Sequence, residues 1–534
     1  MGTALAFGQT ADLVVHNARI YTLDPAHPTA SAIAVSKGRI LALDGEVPAH
    51  IGSQTRQIDA GGRAVVPGLI DAHGHMAGLG LSLGQVDLRA ITSEAEACQQ
   101  IAAAAKQKKP NEWILGRSWD QNLWPGKQFP TRQCLDAAAP RNPVFLTRVD
   151  GHAAWVNSRA LNIAGVGSST PDPSGGRIVR GPDGSPSGVL VDRAQALVGE
   201  KIPPPDKKAL QSALERAAHE CSRVGLTSVH DAGVSGKVIE AYRELESQGK
   251  LPVRIYAMIA VPASENLWKQ YQTRGPEIGP FLTIRSLKLV ADGALGSRGA
   301  ALQEPYSDDP SNRGLLILSR SFIEETAREA VKAGFQVNTH AIGDLANRTV
   351  LDAYSAALAG ANDRRFRIEH AQIVAPADFA RFKKYDVIAS MQPTHATSDM
   401  PWAMERLGPE RLEGAYAWQT FLRSGVRLAC GSDFPVESAN PMLGFYSAIT
   451  RSPHRDPAPS GWVGQKLSRD EALRCFTTDA AFAAFEEKDK GSLAPGKLAD
   501  FVILSEDIMQ VPEERIPKVR VTTTVVNGRV VYSE

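Results

Sequence analysis

The chain has 534 residues, 59 Lys and Arg against 58 Asp and Glu, a net charge of +1, and 43% hydrophobic residues. That length exceeds one compact core of ordinary size, so one large domain with additions, or two to three domains, are expected. The neutral balance without blocks of like charge speaks against nucleic-acid and polybasic membrane-surface roles, and no apolar run reaches the roughly 18 residues needed to span a bilayer.

Residues 1–10, MGTALAFGQT, are small and apolar. They read equally as the tail of a trimmed secretion signal, which would make the protein periplasmic or secreted, or as a frayed start, which leaves it cytoplasmic. Residues 11–66 alternate between apolar and polar positions with Gly, Asp and Asn punctuation, the pattern of short strands. A Gly-containing turn, SKGR, joins two of these runs, and VNGR does the same in VRVTTTVVNGRVVYS near the other end. Segments 1–66 and 491–534 are therefore expected to pair into one β-sandwich.

An apolar run over 64–73 reads as the first strand of the central domain, with residues 67–76 assigned to that strand and its end. The stretch 77–205 carries GRSWDQNLWPGKQFPT and PDPSGGRIVRGPDGSPSG, and reads as an insertion of loops and short strands that lines a substrate pocket. From 206 to 490 a unit repeats: a helical segment ends at glycine and runs into an apolar strand. Gly225, Gly334 and Gly425 stand where a helix end needs a left-handed residue. The repetition implies a parallel sheet, and eight candidate strands suggest a (β/α)8 TIM-type barrel, with a doubly wound sheet as the alternative. The five cysteines include no CxxC pair and are expected to be buried apolar residues outside any disulfide framework.

In such a barrel, chemistry-bearing groups stand at strand C-termini. His73 and His75 end the first strand and, two residues apart, point to one side. His230 ends the second strand, Lys288 lies in the fourth, His340 ends the fifth, His370 ends the sixth, and the eighth runs into Asp433 of CGSDFP. Imidazole and carboxylate suit zinc and related divalent cations. A lysine, with an ordinary pKa of about 10.4, cannot ligate while protonated; as a carbamate it would offer two anionic oxygens able to bridge two metals. Each residue alone has a plainer reading: His340 or His370 as a satisfied core histidine, Lys288 as a partner of Asp292, Asp433 as a helix cap. All of them obey one placement rule, and this favours the chemical reading. Trp119, Asp120, Trp124, His152, His230, Arg298, His395 and Trp402 are the candidate substrate contacts, with His230 lining the pocket rather than ligating.

The stretches PGLIDAHGHM, LKLVADGALGSR, NTHAIGD, RIEHAQ, MQPTHATSDMPWA, GSDFPVESANPM and GSLAPGKLADFVIL, in this order, resemble the amidohydrolase superfamily, and within it the YtcJ-like branch that includes N-substituted formamide deformylase. The resemblance implies a barrel flanked by a β-sandwich from both termini and a binuclear metal site. It implies His73, His75 and Asp433 on one metal, most simply zinc, His340 and His370 on the second, carboxylated Lys288 between them, and a homodimer. A metal-bound hydroxide would attack a non-peptide amide or formamide C–N bond, with Asp433 as general base and then acid. Ester or lactone hydrolysis, a lyase or decarboxylase reaction on the same site, and a non-catalytic ligand-binding barrel stand as alternatives.

Overall fold

The computed structural model describes residues 9–89, 91–148, 151–173, 175–358, 360, 363–453 and 462–534. Residues 1–8, which carry most of the signal-like stretch, lie outside the described residues. The chain forms two compact units, Met1–Gly78 with Glu215–Glu534, and Leu79–Leu214.

Eight parallel strands build the first unit: β1 (Leu69–Gly74), β2 (Leu226–Val234), β3 (Arg254–Ala260), β4 (Leu282–Val290), β5 (Gln336–Ala341), β6 (Arg367–His370), β7 (Ile388–Met391) and β8 (Leu428–Cys430). They neighbour one another in chain order. Beyond β8 the chain returns to β1: Asp433 N–H donates to the His73 carbonyl at 2.7 Å, and His75 N–H to the Phe434 carbonyl at 2.8 Å. The Asp71 carboxylate, buried in β1, accepts from the Ser432 backbone N–H and from its hydroxyl at 2.6 Å. These bonds close a (β/α)8 barrel. Gly225, Gly334 and Gly425 have φ of 88°, 78° and 73°, the left-handed geometry that turns each helix end onto its strand.

The apolar run 64–73 is two strands in two sheets. Ala64–Pro67 joins a terminal sheet and β1 the barrel. The break falls at Gly68, where a Cβ would lie 2.2 Å from the Thr227 hydroxyl oxygen, so only glycine lets the chain pass this close to β2.

Both termini build the flanking β layers. One sheet orders Arg39–Leu43, Ile33–Ser36, Leu13–His16 and Arg56–Asp59. The other orders Arg529–Ser533, Val521–Val526, Phe501–Leu504, Ala64–Pro67, Arg19–Tyr21 and Thr29–Ala30. Val15, Ile33, Val35, Phe501, Ile503 and Val525 share one buried cluster. The two hairpin turns, Lys37–Gly38 and Asn527–Gly528, have positive φ at both residues, the geometry that matches strand twist. They also abut: Ala499 N–H donates to the Gly38 carbonyl, and Gly528 N–H to the Ala499 carbonyl.

The second unit has its own six-stranded sheet and core. Trp119, Trp124 and Trp155 pack against one another within it, with ring centroids 5.9 to 6.2 Å apart. Two disulfides correct the expectation for the cysteines: Cys98–Cys134 in this unit, and Cys430–Cys475, which ties the end of β8 to the helix Arg469–Cys475. Separations of 36 and 45 residues leave no local spacing signal for either bridge. Cys221 is buried and free. Among the described residues no helix is long and apolar enough to cross a membrane.

Candidate metal centre

The predicted ligands converge at the C-terminal mouth of the barrel. His73 Nε2 lies 3.0 Å from Lys288 Nζ and 3.7 Å from Asp433 Oδ1, and His75 Nε2 lies 2.9 Å from the same oxygen. The His73 and His370 rings are 4.9 Å apart, and those of His340 and His370 4.4 Å. His73, His75 and Asp433 offer donor atoms within 4.8 Å of one another, and so do His370, His395 and Asp433. His370 and Asp433 hold φ of 71° and 62°, a conformation that costs a non-glycine residue about 1–3 kcal/mol and persists only where the surroundings enforce it.

Outer partners set which nitrogen faces inward. His73 Nδ1 bonds Glu369 Oε2 at 2.5 Å, and His370 Nδ1 bonds Gln392 Oε1 at 2.7 Å, leaving Nε2 of each to face a cation. Tautomers follow from these partners. Glu369, with Arg367, Asp71, Ser390 and Gln392, was missed by sequence reading. Two charged side chains within the four-residue buried strand RIEH were a signal, since such residues are almost never buried unpaired.

The electrostatics fit a cation site. Burial, with the positive charge of Lys288, lowers the His73 pKa to about 4, and the same causes lower His340 to about 3. Both stay neutral and able to ligate. Burial lowers the Lys288 amine to about 8. For His75 burial acts downward, but its hydrogen bond and attraction to Asp433 outweigh it and raise the pKa. For Asp433 burial acts upward, yet the bond to His75 and the neighbouring imidazoles hold the carboxyl well below the usual carboxylate range. The His75 imidazolium and the Asp433 carboxylate thus favour each other's charged forms. Among the described residues, the buried atoms His340 Nε2 and His395 Nε2 have no hydrogen-bond partner, and Asp433 Oδ1 meets His75 Nε2 at 2.9 Å. Borderline nitrogen donors, two of them unsatisfied, gathered with one carboxylate fit a divalent transition-metal centre.

The predicted substrate contacts scatter. His395 is brought to the centre: it stacks on His370 at 5.9 Å with Nε2 3.7 Å from Asp433 Oδ2. Trp402 lies half-buried on the helix Met400–Arg411 at the mouth, close enough that a Cβ on Gly296 would sit 3.1 Å from its ring. Arg298 is paired with Asp308 at 2.8 Å within its own loop. His230 is not at the mouth. It is fully buried inside the barrel, with Nδ1 3.0 Å from Arg367 Nη1, because β2 does not end at His230 but runs on to Val234. Trp119 and Trp124 are core residues of the second unit, their indole N–H groups donating to the Leu146 and Ile91 carbonyls; hydrophobic burial decided their place. Asp120 accepts from Arg148 at 2.9 Å, and His152, exposed, bonds Asp192 at 2.8 Å.

A closed (β/α)8 barrel with imidazoles and a carboxylate turned inward at its C-terminal mouth is the architecture of a barrel metallohydrolase. The chain belongs to the amidohydrolase family, whose model matches residues 56–532. It is 38% identical to the protein LONG AFTER FAR-RED 3 of Arabidopsis thaliana, over 98% of this chain and 92% of that one. It is 34% identical to the putative amidohydrolase YtcJ of Bacillus subtilis (strain 168), over 97% and 99%. With N-substituted formamide deformylase of Arthrobacter pascens it shares 28% identity over 98% and 99%. Among solved structures it is similar to an uncharacterized metal-dependent hydrolase from Pyrococcus horikoshii OT3, with a TM-score of 0.79 and 29% identity over 94% of this chain and 99% of that one.

Proposed function

We propose that the protein hydrolyses a non-peptide C–N bond, amide or formamide in type, in a small molecule, at a centre of two divalent cations, zinc by donor type. The observation that carries this reading is the convergence of His73, His75, Lys288, His340, His370 and Asp433, with the His340 Nε2 nitrogen lacking a hydrogen-bond partner. Similarity to a formamide deformylase supports the bond type. His73, His75 and Asp433 would hold one cation, and His340 and His370 the other.

Bound there, divalent cations would acidify a water and polarise a carbonyl oxygen. The rest falls to the chain. Lys288, with its amine lowered to about 8, has a larger neutral fraction than an exposed lysine. The neutral amine adds to carbon dioxide: an N–C bond forms as one C=O π bond breaks onto oxygen, one proton leaves the nitrogen, and the resulting carbamate would offer two oxygens to hold the cations. Asp433, an ionised acceptor, takes a proton from the attacking water and passes it to the leaving nitrogen. His395, beside Asp433 and stacked on His370, donates to the substrate oxygen. Trp402 and Arg298 at the mouth contact the rest of the substrate.

The test joins metal content to turnover on a panel of small amides and formamides. About two cations per chain, falling sharply in Lys288→Ala, support the bridged centre, whereas one cation unaffected by that change removes Lys288 from it. Asp433→Asn should retain most of the metal and lose about 10²- to 10⁴-fold in kcat. No metal after reconstitution with zinc or manganese, or a fully active Asp433→Asn, overturns the reading.

A further inference from the structure

The barrel interior beneath the metal centre holds a polar array that the reaction does not call for. Arg367 and Glu369, both fully buried on β6, pair through Arg367 Nε and Glu369 Oε1 at 2.9 Å. Around Arg367 stand Asn338 Oδ1 at 2.9 Å, His230 Nδ1 at 3.0 Å and the Met258 sulfur at 3.5 Å. Glu369 Oε2 accepts from the Ser390 hydroxyl at 2.6 Å and bonds His73 Nδ1 at 2.5 Å. These contacts join β6 to β1, β2, β3, β5 and β7. Bonds between strands that are not sheet neighbours, such as β6 to β1 and to β2, run only through the interior.

A buried ion pair is a poor device for stability, because apolar residues of similar volume are commonly as good or better. Its geometry here serves something else. An imidazole offers two nitrogens, and the one facing the carboxylate keeps the proton, so the lone pair lies on the other. His73 Nε2 points to the side where Lys288 Nζ and Asp433 Oδ1 stand, at 3.0 and 3.7 Å. His73 is almost fully buried, so water has little access to complete its bonding.

We propose that Glu369 is a positioning residue of the metal centre: it fixes the ring and tautomer of His73 so that Nε2 faces the cation, and Arg367, itself anchored by Asn338 and His230, holds Glu369 in place. Neither residue touches the cation or the substrate. The role rests on the reading of this site as a metal centre.

The experiment titrates zinc into the chelator-treated full-length chain against a chromogenic chelator, alongside the thermal midpoint of the metal-free protein. Two variants are compared with the parent. Glu369→Gln keeps the shape and removes the charge. The double change Arg367→Met with Glu369→Leu removes both charges together, so no unpaired buried ion is left to destabilise the fold. Both should lose zinc affinity by about 10- to 100-fold, the usual cost of removing an outer partner of a ligating histidine. The double variant should do so with a metal-free midpoint near that of the parent, which a merely structural role does not produce. Zinc binding within about twofold of the parent in the double variant overturns the positioning role alone. A parent that takes up no zinc overturns the metal reading itself, and the positioning role falls with it.

Discussion

The two β interiors of the first unit follow opposite rules. Between the terminal sheets the cluster of Leu13, Val15, Ile20, Ile33, Phe501, Ile503 and Val525 is wholly apolar. Inside the barrel stand His230, Lys288, Asn338, Arg367, Glu369 and Ser390, none more than 6% exposed. The same period-two alternation builds both. The terminal layers are held by area removed from water, which tolerates exchange of one aliphatic residue for another of similar volume. The barrel interior is held by directed hydrogen bonds, each of which needs its partner, because an orphaned buried charge is costly. One interior supplies stability and the other supplies geometry.

The largest effect that would sharpen this contrast is Arg367→Met alone, which strands the Glu369 charge. It should cost about 3–5 kcal/mol in urea unfolding, and a loss below about 1 kcal/mol would mean the barrel interior is as plastic as the sandwich. Ile503→Ala in the sandwich should cost about 2–5 kcal/mol while zinc affinity stays at the parent value. A change in zinc affinity there would break the division of labour.

The pH dependence of zinc binding separates the histidines. His75 has its folded pKa raised, so in the metal-free chain it adds stability that is complete below its unfolded pKa and lost as pH rises through the folded one. Zinc must displace that proton, so affinity falls as pH drops through the His75 range, by about tenfold per unit for one proton. His73 and His340, lowered to about 4 and about 3, add to the slope only in stronger acid. His75→Asn should flatten the neutral-range slope; an unchanged slope would assign the proton elsewhere. The smallest effect is expected at Gly528, where φ is 71° and an added Cβ would stand only 2.9 Å from Val35 Cγ1. Alanine there should cost about 1–2 kcal/mol and leave the metal centre untouched, as differential scanning calorimetry and zinc titration would show.

Much of this was legible from residues alone. Glycine at 225, 334 and 425 announced helix ends, SKGR and VNGR announced turns, and histidines or aspartate at successive strand ends announced a shared mouth. Other features were not. The division of 64–73 at Gly68 depends on Thr227, distant in sequence. The paired cysteines, 36 and 45 residues apart, meet only after their elements pack. Tryptophans at 119 and 124 looked like pocket residues because composition does not tell a buried indole from a presented one.

The sequence by itself determined the repeated helix–strand units, their parallel pairing and most of the ligand-type residues near strand C-terminal ends, because periodicity and glycine placement are local properties of the chain. Only the tertiary structure decided that Glu369 faces His73 Nδ1, that His395 stacks on His370, and that His230 lies beneath the mouth beside Arg367. The first and the last of those relations join strands far apart in the chain, and the closed curvature of the barrel, which brings their inner faces within hydrogen-bond reach, exists only once all eight strands have paired.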